Sequence, residues 1–265
     1  MKKIAFVGAG QMGGAFLEGL AATGKFECAF AEPNDARAEE LAKKTGAKRM
    51  PVADAVAFAD VVVLAVKPQV FPKVAPEVAA ALAKTSGKTV VSLMAGIQRS
   101  KLRAALGDGA VLVRTMPNLP LVVKGGAVAV ASDDVPAEIV DEVVGLFNHV
   151  GSAMAVPESQ LDAVTGLSGS GPAWVFQFVE GLAAGGVQAG LARPVAEELA
   201  LATIEGSVKM LRAKMGGTGD LTAKVCSPAG TTVYGLKVLE SAGFRGTLMD
   251  AVVAAAERSK ELGAK

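Results

Sequence analysis

Between Lys3 and Gly13 the chain reads KIAFVGAGQMG, an apolar run that leads directly into three closely spaced glycines. The last six residues follow the spacing G-x-G-x-x-G, which is typical of dinucleotide binding when a strand turns into a helix. Gly8 allows the tight turn, Gly10 lets a pyrophosphate approach the backbone, and Gly13 lets the helix pack on the sheet. Because the start of that helix offers free N–H groups to phosphate, this fingerprint predicts a dinucleotide site.

Beyond the fingerprint, short β-branched runs alternate with stretches of helical periodicity. We expect strands at Lys3–Val7, Glu27–Ala31, Val61–Val66, Thr89–Leu93, Val111–Thr115, Ala127–Ala131 and Ala153–Val156. We expect helices at Gln11–Thr23, Ala36–Thr45, Pro72–Lys84, Arg99–Leu106 and Ala137–Asn148. Apolar runs of this length fit strands that are buried on both faces. The alternation predicts an α/β fold whose N-terminal half is a Rossmann-type, doubly wound, mostly parallel sheet.

After about residue 157 the strand signals disappear and helical patterns dominate. Pro172 and Pro194 each suit a helix start, because the fixed φ of proline fits the first turn. We expect a dinucleotide-binding domain at residues 1–157 and an all-helical dimerisation and substrate-binding domain at residues 158–265. A helical domain this small and apolar needs a second surface to cover it, which predicts a homodimer.

The composition excludes several function classes. With 27 basic and 26 acidic residues, the charge balance does not indicate a nucleic-acid binder. The single histidine, His149, excludes His-rich metal sites, and we expect no metal ion. Two cysteines make no disulfide framework, which fits a cytoplasmic protein. The apolar segment Gly166–Leu191 contains Glu180 and two glutamines, which favours a buried helix over a membrane span.

The residues after the second predicted strand leave the choice between NAD and NADP open. Glu32 lies about 20 residues beyond Gly13, where an acid binds the ribose 2′-hydroxyl and repels a 2′-phosphate. Asn34 and Arg37 follow it, and an arginine there pairs with a 2′-phosphate. Arg37 equally fits a solvated surface residue.

Three later predicted strands end in small or polar residues, at Lys67-Pro68-Gln69, Met94-Ala95-Gly96 and Arg114 to Asn118. Ligands bind outside the carboxyl ends of the strands in doubly wound sheets. We therefore expect these three ends to outline one crevice, with Lys67 facing the cofactor.

Two glycine- and serine-rich stretches stand at predicted helix starts in the second half, Gly166–Pro172 and Ser227–Thr232. Each offers backbone N–H groups and hydroxyls without formal charge, which suits a small carboxylate. The alternative for both stretches is close packing of helices around small residues.

Four motifs behind the fingerprint resemble those of the pyrroline-5-carboxylate reductase family. They read VKPQ at Val66–Gln69, MPN at Met116–Asn118, TGLSGSGPA at Thr165–Ala173 and SPAGTT at Ser227–Thr232. The resemblance covers essentially the whole chain. It implies reduction of 1-pyrroline-5-carboxylate to L-proline, the last step of proline biosynthesis, with NADPH as the more expected donor and NADH as the alternative. It also implies a homodimer, often assembled further into a decamer.

The same resemblance implies roles for individual residues. Cofactor contacts would come from Val7, Gly8, Ala9, Gly10, Gln11, Met12, Gly13, Ala65, Val66, Lys67, Pro68, Met94 and Ala95. Substrate contacts would come from Glu158, Ser227, Gly230, Thr231 and Thr232. Two positions depart from the family pattern, because Leu119 replaces a usual threonine and Ala229 replaces a usual glycine. Ala229 would resist a positive φ.

The implied chemistry agrees with the scarcity of histidine. A protonated cyclic imine accepts hydride without a strong side-chain acid, so orientation supplies much of the rate. We expect Thr232 to act as the catalytic residue by hydrogen-bonding the ring nitrogen, with orientation first and acid catalysis second.

Two rival functions remain at this point. A β-hydroxyacid dehydrogenase-like enzyme would place a lysine in the helix after the first domain, where the first lysine is the distant Lys209. A non-enzymatic dinucleotide-sensing protein would have no need of the stretch Ser227–Thr232.

Overall fold

The computed structural model describes residues 1–264, which form two compact units. The first unit combines Met1–Ser170 with the residues from Val253 onward, and the second is Gly171–Val252. The predicted break at residue 157 lies earlier than this division. The difference arises because the residues that follow 157 pack on the first unit, where Leu161 is 1% exposed. The domain limits 1–157 and 158–265 stay a prediction.

An eight-stranded sheet organises the first unit, with strand order β3-β2-β1-β4-β5-β6-β7-β8. The strands are β1 Lys2–Val7, β2 Phe26–Ala31, β3 Lys48–Arg49, β4 Val61–Leu64, β5 Lys88–Ser92, β6 Ala110–Met116, β7 Gly126–Ala131 and β8 Gly151–Val156. All neighbouring strands pair in parallel except β6 and β7. This mostly parallel, doubly wound sheet confirms the predicted fold class.

Helices connect the strands and cover both faces of the sheet. They are α1 Gln11–Ala21, α2 Asp35–Thr45, α3 Val52–Phe58, α4 Phe71–Leu82, α5 Arg99–Leu106, α6 Ala137–Phe147 and α7 Leu161–Val164. Shorter turns are 3-10 helical at Leu119–Val123 and Glu158–Gln160 and π-helical at Thr165–Gly169. Strands alternate their side chains between two hydrophobic clusters, so that Ile4 and Phe6 face α1, α2 and α6. Ala5 and Val7 face α3, α4 and α5.

Three details differ from the expectation drawn from sequence. β3 and α3 were not predicted, because β3 has only two exposed charged residues and α3 only seven residues. β4 ends at Leu64 rather than at Val66. β7 reverses direction because the chain between Met116 and Gly126 is too short for the crossover that parallel strands need.

The second unit contains helices alone among the described residues. They are α8 Gly171–Gln188, α9 Arg193–Arg212, α10 Thr218–Val225, α11 Thr231–Ser241 and the start of α12 Phe244–Ala264. Its buried apolar residues are alanines, Ala183, Ala196 and Ala200. Within residues 1–264, no helix is both long and apolar enough to span a membrane.

Candidate functional site

The fingerprint turn needs glycine at two places for reasons internal to the chain. Gly8 has φ +90°, and a Cβ there would lie 2.8 Å from both the Cγ1 and the backbone nitrogen of Val66. A Cβ on Gly13 would lie 2.5 Å from the Gly8 carbonyl oxygen and 2.7 Å from the Ala65 Cβ. These two glycines therefore allow the turn and α1 to approach the end of β4.

Gly10 differs from both, because a Cβ at this position would meet no atom within 4 Å. Gly10 is also the N-cap of α1, and no side chain caps the helix there. The first turn of α1 contains no acidic residue that would neutralise the positive end of the helix dipole from within the helix. Open space and uncompensated N–H groups meet at one point, which is what an approaching pyrophosphate requires.

Glu32 closes the neighbouring side of this turn. Its two carboxylate oxygens accept hydrogen bonds from the backbone N–H groups of Ala9 and Asn34, each at 3.0 Å. The charge at the end of β2 is therefore held against the fingerprint and has two backbone donors. This placement brings Glu32 to the position that was predicted from its spacing.

Two arginines flank the same strand end. The backbone N–H of Arg37 donates to the Asn34 side chain at 2.9 Å, which makes Asn34 the N-cap of α2. The Arg37 side chain lies against the fingerprint, where its Nε donates to the Ala9 carbonyl at 3.4 Å. Arg49 donates to the Glu32 carbonyl at 2.9 Å. Both cations are also paired with acids, Arg37 with Glu40 at 2.9 Å and Arg49 with Asp35 at 2.7 Å.

A cavity of about 510 Å³ opens beside these groups, within the size range of small-molecule pockets. Four residues of its wall, Val7, Gly8, Glu32 and Val66, are among those that the sequence predicts to contact the cofactor. Sequence reasoning missed the part of its wall formed by Met50, Pro51, Val52, Val70 and Val74. Met50, Pro51 and Val52 were missed because they lead into α3, which is too short to give a helical pattern, whereas Val70 and Val74 lie at the start of α4.

The other predicted crevice residues lie at strand ends, as expected. Lys67 follows β4 after Ala65 and Val66, and its side chain is exposed. Met94 is 2% exposed and belongs to the hydrophobic core, whereas Ala95 is exposed. Of this pair, only Ala95 presents its side chain to solvent.

The motif Met116–Asn118 contacts Ser168 and Gly169, which belong to the part of Thr165–Ala173 that lies in the first unit. The Asn118 amide donates to the Ser168 carbonyl at 3.0 Å and accepts from the Ala127 N–H at 2.8 Å. A Cβ on Gly169 would lie 2.7 Å from the Met116 Cε. For these residues the structure shows the close packing that was the alternative to ligand binding.

Glu158 lies between two arginines of the first unit. Its Oε1 accepts from the Arg99 backbone N–H at 2.9 Å and from the Arg114 guanidinium at 3.2 Å. Its Oε2 lies 3.4 Å from the Arg99 Nε. The carboxylate therefore accepts two hydrogen bonds on Oε1 and forms an ion pair with Arg99 through Oε2. A substrate contact by Glu158 stays a prediction.

The stretch Ser227–Thr232 forms a tight loop before α11 in the second unit. The Gly230 N–H donates to the Ser227 carbonyl at 3.0 Å, and a Cβ on Gly230 would lie 2.2 Å from the Ser227 Oγ. Gly230 is the N-cap of α11 without a side-chain cap, so Thr231 and Thr232 occupy the first turn of the helix. This turn offers uncapped N–H groups, with hydroxyls and without charge, to an anion.

Among the described residues, no group of three or more histidine, cysteine, aspartate or glutamate side chains is arranged to hold a metal ion.

Comparison with known proteins covers the full length of the chain. It is 39% identical to the pyrroline-5-carboxylate reductase of Methanosarcina acetivorans over 270 residues, which is 100% of this chain and 99% of the relative. The chain belongs to the pyrroline-5-carboxylate reductase family. Residues 158–262 match the family model for pyrroline-5-carboxylate reductase dimerisation, and residues 3–96 match the model for coenzyme F420-dependent NADP oxidoreductases.

Solved structures of the pyrroline-5-carboxylate reductase family share the fold. The Coxiella burnetii protein superposes with a TM-score of 0.92 at 32% identity, covering 98% of this chain and 97% of its own. The Plasmodium falciparum protein, solved with NADP bound, superposes with a TM-score of 0.86 at 32% identity over 99% of this chain and 98% of its own.

The two departures from the family pattern are visible in the structure. Leu119 begins a 3-10 helix and is 40% exposed, so it disturbs no core. Ala229 adopts φ +53°, the left-handed conformation that a glycine would take at less cost. The loop therefore keeps a glycine-like shape despite the side chain, contrary to the expected resistance.

Proposed function

We propose that this protein reduces 1-pyrroline-5-carboxylate to L-proline, the last step of proline biosynthesis, with hydride from NADPH or NADH. The observation that carries the proposal is Gly10, whose missing side chain serves no packing contact and leaves the N-terminus of α1 open. Membership of the reductase family supports the assignment of 1-pyrroline-5-carboxylate as the substrate. Cofactor contacts are assigned to the fingerprint residues Val7–Gly13 and to the residues after β4 and β5.

We assign NADPH as the preferred donor and NADH as an accepted one. Arg37 and Arg49 lie at the end of β2, where they supply positive charge to a 2′-phosphate. The Glu32 carboxylate is engaged by two backbone N–H groups, which offsets part of its repulsion. Comparing the Michaelis constants for the two donors tests this assignment.

The substrate carboxylate is assigned to the loop before α11. Ser227 and Thr231 offer hydroxyls, and Thr231 also offers its backbone N–H at an uncapped helix start. Gly230 contributes by leaving the Ser227 hydroxyl the room that a Cβ would take. Thr232 is assigned to the ring nitrogen. Its hydroxyl orients the protonated imine so that the carbon of the C=N bond receives the hydride, while the bond electrons become the lone pair of the amine.

Assembly and location complete the proposal. The match of residues 158–262 to a dimerisation model supports a homodimer, and we propose that dimers assemble further into a decamer. We place the protein in the cytoplasm, with no nucleic-acid partner and no membrane.

The decisive experiment is NAD(P)H oxidation measured with 1-pyrroline-5-carboxylate, with a hydroxyacid and its keto acid as controls. We expect oxidation with the imine alone. No oxidation with the imine over a range of pH and with both donors contradicts the proposal, and tight NADPH binding without turnover indicates a dinucleotide sensor instead.

Thr232→Ala tests the role assigned to the hydroxyl. We expect kcat/KM to fall by at least about tenfold, because a misoriented imine loses the near-attack geometry. Thr222→Ala is the matched control, since Thr222 is an exposed threonine of α10 whose hydroxyl donates to the Thr218 carbonyl. An unchanged kcat/KM in Thr232→Ala contradicts the assignment.

Gly10→Ala tests the open turn. Because the new Cβ meets no protein atom within 4 Å, we expect the free energy of unfolding to change by less than about 1 kcal/mol. NADPH affinity, measured by fluorescence titration, should fall at least about tenfold, because the methyl group occupies the approach path of the pyrophosphate. Gly145→Ala on α6, which also has open space, should leave NADPH affinity unchanged.

A further inference from the structure

The segment Leu93–Gln98 joins β5 to α5 and contains the two residues assigned to the nicotinamide side of the cofactor. The Met94 side chain is buried in the core, and its N–H donates to the Ser92 hydroxyl at 3.3 Å. Gly96 has φ +75°, and Ala95 between them is exposed. The segment is therefore a turn in which Ala95 is presented outwards between a buried methionine and a glycine of positive φ, and Gln98 is exposed at its end.

The end of this turn is fastened by Glu158. Arg99 is the first residue of α5, and its backbone N–H donates to the Glu158 Oε1 at 2.9 Å. Its side-chain Nε lies 3.4 Å from the Glu158 Oε2. Arg114 on β6, whose side chain is 9% exposed, donates to the Glu158 Oε1 at 3.2 Å. One carboxylate thus joins the start of α5 to the neighbouring strand.

Glu158 is itself held in place from its other side. Its backbone N–H donates to the Asp133 carboxylate, and the Asp133 carbonyl accepts from the Arg99 guanidinium. Asp134 adds an exposed ion pair to Arg99 at 3.0 Å. Because only 20% of the Glu158 side chain is exposed, the carboxylate has little freedom to turn towards a ligand.

The back of the turn rests on α12. A Cβ on Gly96 would lie 3.9 Å from the Gly263 Cα, and Lys101 on α5 donates to the Gly263 carbonyl at 2.9 Å. α12 is fixed here by the Ser259 hydroxyl, which donates to the Asp162 carboxylate at 2.6 Å. The turn is thus supported at its back and fastened at its end.

We propose that Glu158 is a positioning residue, which fixes the turn Met94–Gln98 and through it the nicotinamide, rather than a residue that binds substrate. This inference rests on the proposed function. The carboxylate already accepts two protein hydrogen bonds and forms an ion pair with Arg99, and its negative charge would repel the carboxylate of the substrate.

Glu158→Asp tests the proposal, because the shorter side chain keeps the charge but cannot reach both arginines from the same backbone position. We expect kcat to fall by about tenfold while the KM for the imine changes less than about threefold. With NADPH deuterated at the transferred position, the isotope effect on kcat should rise, because hydride transfer becomes slower. A KM increase of tenfold or more with unchanged kcat overturns the proposal in favour of substrate binding.

Two further variants distinguish a positioning role of Glu158 from a general loss of folded structure. Glu158→Gln should restore kcat to within about threefold of the wild type, because its amide oxygen still accepts the Arg99 N–H. Asp134→Ala, which removes an exposed partner of Arg99, should leave kcat and the isotope effect unchanged. Wild-type kcat in Glu158→Asp, or a loss in Glu158→Gln as large as in Glu158→Asp, overturns the proposal.

Hydrogen exchange provides a readout that does not depend on catalysis. Amides 94–102 should exchange at least about tenfold faster in Glu158→Asp than in the wild type and in Asp134→Ala. Unchanged exchange overturns the proposal. If the exchange responds but the wild type shows no imine-dependent oxidation, the proposed function fails while the role of Glu158 in fixing the turn stands.

Discussion

The two compact units differ in how far their large apolar side chains are buried. In the first unit, aromatic and β-branched side chains from both faces of the sheet are fully buried, with Phe6, Phe16, Phe30 and Phe147 at 0% exposed. In the second unit, large apolar side chains remain accessible, such as Phe176 at 58% and Leu199 at 53%. No residue of the second unit belongs to the hydrophobic clusters found among the described residues.

A single chain therefore buries the hydrophobic core of the first unit, whereas the large apolar side chains of the second unit remain exposed. Burying a leucine or phenylalanine side chain contributes about 1.5–3 kcal/mol, so the exposed side chains of α8 and α9 represent a large unused stabilisation. The match of residues 158–262 to a dimerisation model indicates where that stabilisation is recovered. We therefore expect the stability of the second unit, unlike that of the first, to depend on protein concentration.

The largest effect should come from Phe16→Ala in the first unit. Phe16 stacks on Phe147 at 4.2 Å and meets Phe6 edge-on at 5.6 Å. The cavity should lower the free energy of unfolding by about 3–5 kcal/mol, measured by urea denaturation with circular dichroism. The loss should be the same at protein concentrations that differ tenfold. A loss below about 1 kcal/mol would show that this core is not closed within one chain.

Phe176→Asp should affect assembly instead. A charge in the centre of an apolar contact should weaken the dimer by at least about 2 kcal/mol, roughly 30-fold in Kd. Sedimentation velocity measures the change, and the sole tryptophan, Trp174 on α8, reports it by fluorescence. Lys25→Asp, at an exposed position of the first unit, should leave the dimer intact. A stable folded monomer of the wild type at low concentration would contradict the conclusion that the second unit needs a partner chain.

Ala229→Gly tests the backbone conformation of the loop before α11 in the second unit. Ala229 holds φ +53°, which costs a residue with a Cβ about 1 kcal/mol more than glycine. The greater flexibility of glycine in the unfolded chain offsets about 0.4–1 kcal/mol of this gain, so we expect a net stabilisation of at most about 0.6 kcal/mol in thermal unfolding. Thermal unfolding that moves to lower temperature would show that the loop does not need the left-handed conformation.

Two predictions that are confined to alkaline pH or to chemical labelling concern the thiols, one in each unit. Burial raises the pKa of Cys28 to about 11, with a further contribution from Glu27. The neutral thiol is therefore favoured in the folded state. Its contribution to stability is complete below about pH 9 and is lost as the pH rises to about 11. Cys28→Val should remove this part of the pH dependence in urea denaturation between pH 8 and 11.

Thiol labelling at neutral pH compares the units directly. A water-soluble disulfide reagent should modify the half-exposed Cys226 of the second unit and spare the buried Cys28. Cys226→Ser should abolish the reaction, and labelling of that variant would show that the first unit opens.

The first unit was largely predictable because its signals are local. The fingerprint, the β-branched runs and the helices between them each lie within a dozen residues, and the buried strands followed from them. β3 escaped prediction because its two residues, Lys48 and Arg49, join the sheet by backbone pairing with β2 rather than by apolar character. The reversed direction of β7 has a signal in the sequence, because the connection from Met116 is shorter than the crossover that a parallel neighbour needs.

The candidate site was predictable only where one segment forms it. Glu32, Lys67 and the loop Ser227–Thr232 could be placed from their own neighbourhood. The surroundings of Glu158 could not, because Arg99 and Arg114 come from distant parts of the chain. Their meeting depends on the sheet order and on how the chain leaves β8, which no local pattern specifies.

The path of α12 bears on how the protein is synthesised. This helix begins in the second unit, and its residues from Val253 onward belong to the first. A ribosome therefore delivers all eight strands long before the residues that support the turn after β5. Nascent chains released early would carry a formed sheet whose turn at Gly96 lacks Gly263 behind it. Completing the second unit thus comes before completing the first, because the residues that support this turn are synthesised after the second unit.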